Sequence, residues 1–126
     1  MKRLCYYIPT VIIATVIAYL SLLREVRFSL PHFTGWDKLV HFMMYFVLAA
    51  VMLWDGRRAK MLSRRMSFVV FAVCSLYGGV IEVLQEKYFY PRTGDWLDWI
   101  ADCLGVVCGI CVMLLLWKHR KKDATC

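Results

Sequence analysis

The chain has 126 residues, 61% of them hydrophobic and 20% charged, with a formal net charge of +7. Average soluble domains are about 45–50% apolar and about 25% charged, so one domain of this length could not bury so much apolar surface in its own core, and a lipid-embedded fold is expected. The positive charge falls in short runs between long apolar stretches, where anionic headgroups would meet it; with no nucleic-acid motif beside it, nucleic acid is not expected as a partner.

The first apolar run, Leu4 to Leu23, is long enough at about 1.5 Å per residue to cross the roughly 30 Å hydrocarbon core. Lys2-Arg3 ahead of it look like the start of a signal peptide. A cleavable apolar region is shorter, about 7–15 residues, and ends in an A-x-A-like site, so a retained span over 4–23 is predicted. Pro9 falls in its first turns, where a missing N–H does least harm.

Leu30-Pro31-His32-Phe33-Thr34-Gly35-Trp36 is expected to be a short irregular segment, broken by Pro and Gly and suited by its aromatics to the membrane interface. The second span is predicted over 39–54, with Asp37, Lys38 and His41 at or just inside its start. The third, over 66–84, carries Gly78-Gly79 and then Glu82 in its last turn. The fourth, over 99–117, follows Asp98, carries Asp102 about a turn further in, and leads into a basic tail, 118–126. The expected fold is all-α: a single membrane domain over 1–126 with four transmembrane helices. Cys108-x-x-Cys111 has redox or metal spacing, but inside an apolar run it reads as small side chains packing between helices.

Lys and Arg in short loops gather on the cytoplasmic side. With four spans, the N-terminus, middle loop and C-terminus share one side, which holds Lys2, Arg3, Arg57, Arg58, Lys60, Arg64, Arg65, Lys118, Arg120, Lys121 and Lys122. The other side holds Arg24, Arg27, Lys38, Lys87 and Arg92. Both termini are therefore expected in the cytoplasm. The acids run the other way: Glu25, Asp37, Glu82, Glu86, Asp95, Asp98 and Asp102 fall in the outer half.

Asp37, His41 and Tyr45 recur at four-residue spacing and share a helix face. Glu82 and Gln85 do so on the third helix, and Asp98 and Asp102 on the fourth, with Gly105 and Gly109 continuing that stripe. Charged groups in or near hydrocarbon usually face a bundle interior or a wet cavity. Gly105-x-x-x-Gly109 and Gly78-Gly79 would let helices approach closely. An outward-opening polar pocket is predicted, with Asp37, His41, Glu82, Gln85, Arg92, Asp95, Asp98 and Asp102 as ligand-binding candidates. Asp98 alone could instead be an N-cap of the fourth helix, and Asp37 of the second. The whole cluster could also be a polar network that fixes helix register.

These residues carry a family resemblance. Asp37-Lys38-Leu39-Val40-His41-Phe42, then Tyr45-Phe46, resembles the DK-x-x-HF element that opens the second helix of VanZ-like proteins. Tyr77 to Gln85 resembles their small-residue-rich segment ending in E-x-x-Q. Pro91-Arg92, Asp95, Asp98 and Gly105 to Gly109 resemble their P-x-R…D…D-x-x-x-N-x-x-G-x-x-x-G stretch. The match covers roughly Leu30 to Gly109, and one position departs from it: Asp102 stands where the family usually has Asn. The resemblance implies a bacterial cytoplasmic (inner) membrane protein of the cell envelope, in a family whose namesake is associated with low-level resistance to teicoplanin.

Three functions fit these residues. In the first, the pocket binds a phospholipid or lipid-linked glycan headgroup, Arg92 gripping a phosphate or carboxylate and His41, Gln85 and the acids bonding hydroxyls. Trp36, Tyr88, Trp96 and Trp99 would then stack on the ligand or form an interfacial belt. In the second, an intramembrane hydrolase or transferase acts on a lipid-linked precursor. There His41 with Glu82 or Asp98 supplies a base and its orienting carboxylate, or His41, Glu82, Asp98 and Asp102 hold a divalent cation. The third is a structural or transport partner of another membrane protein, or a homo-oligomer, docked through its polar or glycine faces.

Overall fold

A bilayer core offers backbone groups no water, so a chain of this hydropathy must satisfy its N–H and C=O groups internally. The computed structural model, which describes residues 4–23, 35–61, 63–88 and 95–123, is all-helical over those residues, with no strand among them. A 3-10 turn, Leu4–Tyr7, leads into α1 (Ile8–Leu23), followed by α2 (Trp36–Arg58), α3 (Arg64–Tyr88) and α4 (Trp96–Asp123). All four α-helices, the first together with its 3-10 turn, are long and apolar enough to cross a membrane.

Each of α2, α3 and α4 is longer than its apolar run. Lys38, Arg57, Arg58, Arg64 and Lys87 sit in terminal helical turns, positions from which long basic side chains can reach a headgroup layer. The basic tail as far as Asp123 continues α4 as helix. Of the expected irregular segment, residues 30–34 lie outside the described residues, and Trp36 opens α2.

The closest packing is between α2 and α4. A Cβ placed at Gly105 would strike the Phe42 carbonyl oxygen, and one at Gly109 would lie 2.7 Å from the Phe46 carbonyl oxygen. Missing side chains therefore let the two backbones touch over a full turn. The contacts advance in the same order along both helices, so α2 and α4 run in the same direction. Buried Tyr45, Leu48, Ala49 and Leu53 of α2 face Val106, Met113 and Trp117 of α4, with Val70, Cys74 and Ile81 of α3 and Ile17 of α1 closing the core. The outward faces carry exposed Phe68, Leu76 and Leu104, which lipid would cover.

Apolar α1 is fastened through its backbone. Tyr77 donates to the Ala14 carbonyl at 2.5 Å and Gln85 Nε2 to the Ser21 carbonyl at 2.7 Å. At the end of the bundle remote from His41, fully buried Asp55 accepts the Thr10 N–H at 3.2 Å and the Thr10 hydroxyl at 2.8 Å through Oδ2. A carboxylate from α2 thus satisfies an orphan donor in the first turn of α1, beside Pro9, which has none to offer. The α2–α3 turn closes as a Schellman motif, with Met61 N–H on Gly56 O, Lys60 N–H on Arg57 O, and Lys60 left-handed at φ 57°.

Candidate functional site

Polar side chains converge where α2, α3 and α4 meet, toward the starts of α2 and α4 and the end of α3. His41 and Tyr45 lie one turn apart on the buried face of α2. His41 Nδ1 stands 3.0 Å from Asp102 Oδ1 and 3.9 Å from Glu82 Oε1. Asp102 is 1% exposed and Glu82 8%. Gly78 makes the room: a Cβ there would lie 2.8 Å from Asp102 Oδ2 and 3.4 Å from the Tyr45 ring. Gly79 likewise faces a side chain, the Trp99 indole. The glycine pair of α3 thus admits side chains of α4, whereas Gly105 and Gly109 admit backbone.

Asp95 caps α4. Its Oδ1 accepts the Leu97 N–H at 2.9 Å, and its carbonyl accepts the N–H groups of Asp98 and Trp99. The N-cap is therefore Asp95, and Asp98 lies in the first helical turn. The N-cap of α2 is Gly35, with Asp37 exposed in the first turn. Lys38 Nζ bridges Asp95 Oδ2 at 3.1 Å and Asp98 Oδ1 at 3.3 Å, tying α2 to the head of α4. The Leu97 N–H and then Lys38 hold the Asp95 carboxyl below the ordinary carboxylate range. Asp95 N–H in turn donates to Glu82 Oε2 at 3.1 Å.

Of the candidate residues, His41, Glu82 and Asp102 form one compact group of donor atoms within 4.8 Å of one another, and Asp37, His41 and Asp98 form another. The Gln85 amide is engaged with the α1 backbone. Arg92 lies outside the described residues. The Trp99 indole N–H donates to the Ser75 carbonyl at 3.0 Å, and its ring meets Trp96 edge-to-face at 6.1 Å; Trp36, Tyr88 and Trp96 are exposed. Lys38 and Asp55 were not among the sequence candidates. For Lys38 a signal existed, a lone base beside Asp37 one turn from His41; for Asp55, at the end of an apolar run, none did.

Beside the cluster, a groove of about 460 Å³ runs between α3 and α4. Leu76, Val80 and Val83 form one wall and Trp96 and Trp99 the other, Gly79 lies in the floor, and Glu82, Glu86 and Asp95 stand at one end. The groove extends along α3 from Ser75 to Glu86, about 16 Å at the helical rise and about half the hydrocarbon thickness.

Comparison with known proteins gives a relative in fission yeast, Schizosaccharomyces pombe: an uncharacterized protein 28% identical over 86 residues, covering 68% of this chain and 50% of that protein. The chain thus spans about half the length of the curated relative it matches. No solved structure matches. The family model described as VanZ/LLP1 matches residues 2–117, and with four membrane-length helices and their polar cluster in place, the chain belongs to the VanZ/LLP1 family.

Proposed function

We propose that this chain holds a membrane lipid by its headgroup, against the cluster of His41, Glu82, Asp95, Asp98 and Asp102, with one hydrocarbon chain in the α3–α4 groove. The carrying observation is continuity: Glu82 and Asp95 end the groove and also join the network that reaches Lys38 and His41. A one-leaflet apolar slot with polar groups at its mouth has the amphipathic pattern of a lipid, and its volume lies within the usual range for ligand sites, about 300–1,000 Å³. Arg92, six residues before Asp98 in the sequence, would add a phosphate grip.

The bias of Lys and Arg supports both termini inside and the groove in the outer leaflet, and the VanZ-like resemblance points to a bacterial cytoplasmic membrane. The yeast relative favours a phospholipid over a ligand confined to peptidoglycan-walled cells. A lipid-linked wall precursor is the alternative ligand, through which a change in glycopeptide susceptibility would follow. One observation favours an enzyme as second reading: Asp102 lies within hydrogen-bonding distance of His41 Nδ1, as a carboxylate orienting a general base would.

Native mass spectrometry of the protein released from detergent tests the proposal. The wild type should retain a lipid. Val80→Trp and Val83→Trp, which fill the groove, should lose it while keeping their helical spectrum and melting temperature. Val73→Trp, at an exposed α3 position outside the groove, should keep it. Equal retention by all four proteins would refute the groove. Turnover of lipid that His41→Gln abolishes would favour the enzyme.

A further inference from the structure

The described carboxylates around the cluster are Asp37, Glu82, Glu86, Asp95, Asp98 and Asp102, and the described ammonium groups are Lys38 and Lys87. Lys38 is engaged by Asp95 and Asp98. A lipid phosphate arriving here meets an excess of negative charge. Deeper in, the Oε1 atom of Glu82 is buried with no hydrogen-bond partner, in a side chain 10% exposed, and it points toward His41 Nδ1 from 3.9 Å, too far for a hydrogen bond. Buried carboxylate oxygens are costly unless paired or metal-bound.

We propose that His41, Glu82 and Asp102 bind a divalent first-row transition ion, of the zinc or manganese class. Neighbouring ligands of such an ion, bonded at about 2.0–2.2 Å, stand about 3.0–3.5 Å apart. The His41–Asp102 separation of 3.0 Å already fits, and the His41–Glu82 separation of 3.9 Å needs a shift of about half an ångström, within reach of a Glu rotamer. The imidazole selects against Ca²⁺ and Mg²⁺, which prefer all-oxygen shells. A divalent ion between two carboxylates and a neutral imidazole leaves no net charge, the state a low-dielectric interior favours. The outer trio of Asp37, His41 and Asp98 fits less well, because Lys38 already holds Asp98 and Asp37 is exposed. The ion site stands on its own geometry; its further role, an open coordination position for a lipid phosphate, rests on the lipid reading above.

The test uses the full chain in detergent, stripped with chelator and dialysed against Zn²⁺ or Mn²⁺. One ion per chain is expected, with affinity falling at least roughly 100-fold in Asp102→Asn and Glu82→Gln and by less than about 10-fold in Asp98→Asn, whose carboxylate lies near the ion without binding it. The chain has three histidines, His32, His41 and His119. In the double variant His32→Asn/His119→Asn, bound Mn²⁺ should still show one imidazole nitrogen by pulsed electron paramagnetic resonance, a readout that stands even where the carboxylate variants fail to fold. No ion above background, or an ion with no nitrogen coupling in the double variant, overturns the site. An ion bound by protein that retains no lipid supports the site and refutes the lipid reading. Lipid retained by protein that takes up no ion does the reverse.

Discussion

Gly105→Ala adds a single methyl group where α2 and α4 meet. The new carbon would strike the Phe42 carbonyl oxygen and lie 3.0 Å from the Phe42 carbonyl carbon and 3.1 Å from the Phe46 nitrogen, where ordinary contact begins at 3.4 Å. All three atoms are helical backbone, so no rotamer change relieves the overlap, and the helices must separate along the interface that Gly109 extends. Overpacking of this kind costs about 1–3 kcal/mol, and a steric clash with backbone belongs at the upper end. Better helix propensity returns up to about 1 kcal/mol, leaving a net loss of about 1–2 kcal/mol. Gly79→Ala is the internal control: its Cβ would meet Trp99 Nε1 at 3.4 Å, so propensity decides and stability should hold or rise slightly. Unfolding in mixed micelles with increasing dodecyl sulfate, followed by circular dichroism, reads both. A Gly105→Ala protein as stable as the wild type, or a Gly79→Ala protein that falls as far, would refute the close-contact reasoning.

Lys60→Gly should stabilise the chain by about 1 kcal/mol, because Lys60 holds the left-handed position of the Schellman turn at φ 57°, which costs a side-chain-bearing residue about 1–2 kcal/mol; the same micelle titration checks it. Asp55→Ala should lower stability by about 1–3 kcal/mol by leaving the Thr10 N–H and hydroxyl without their shared acceptor, with Thr10→Val losing less. A green fluorescent protein fused after Cys126 should fluoresce in a bacterial host, as both termini inside requires, and an alkaline phosphatase fused there should be inactive.

Much of this architecture is legible in the residues because the bilayer imposes it. Long apolar runs separated by basic loops leave helices as the solution, and the four-residue spacing of His41 and Tyr45 places both on one buried face, with Asp37 exposed a turn before them. His41, Glu82 and Asp102 also read correctly as neighbours, since three helices presenting polar groups at similar depth have few ways to bury them apart. The helix ends did not read well: polarity marks where the hydrocarbon ends, while the backbone continues hydrogen-bonding for several more residues. Asp95 took the capping position in place of Asp98 because a cap is set by the chain's entry angle, which spacing does not encode. The Asp55–Thr10 clamp joins residues 45 apart in sequence, and nothing local to either announces the other. The Gly78-Gly79 pair read as a backbone contact, but only packing reveals that Asp102 and Trp99 occupy the space it leaves. The groove belongs to two helices at once and has no sequence signature.

The most direct test of the central claim is to map where a lipid touches the protein. Reconstituted protein is irradiated with a phospholipid carrying a diazirine in its acyl chain, and the adducts are located by peptide mass spectrometry. The account predicts adducts concentrated at Leu76, Val80, Val83 and Trp99, reduced in Val80→Trp, with few at the equally lipid-facing Phe68, Leu104 and Leu115. Adducts spread evenly over those exposed residues would contradict it, and would leave the cluster around His41 as a network that holds helices in register.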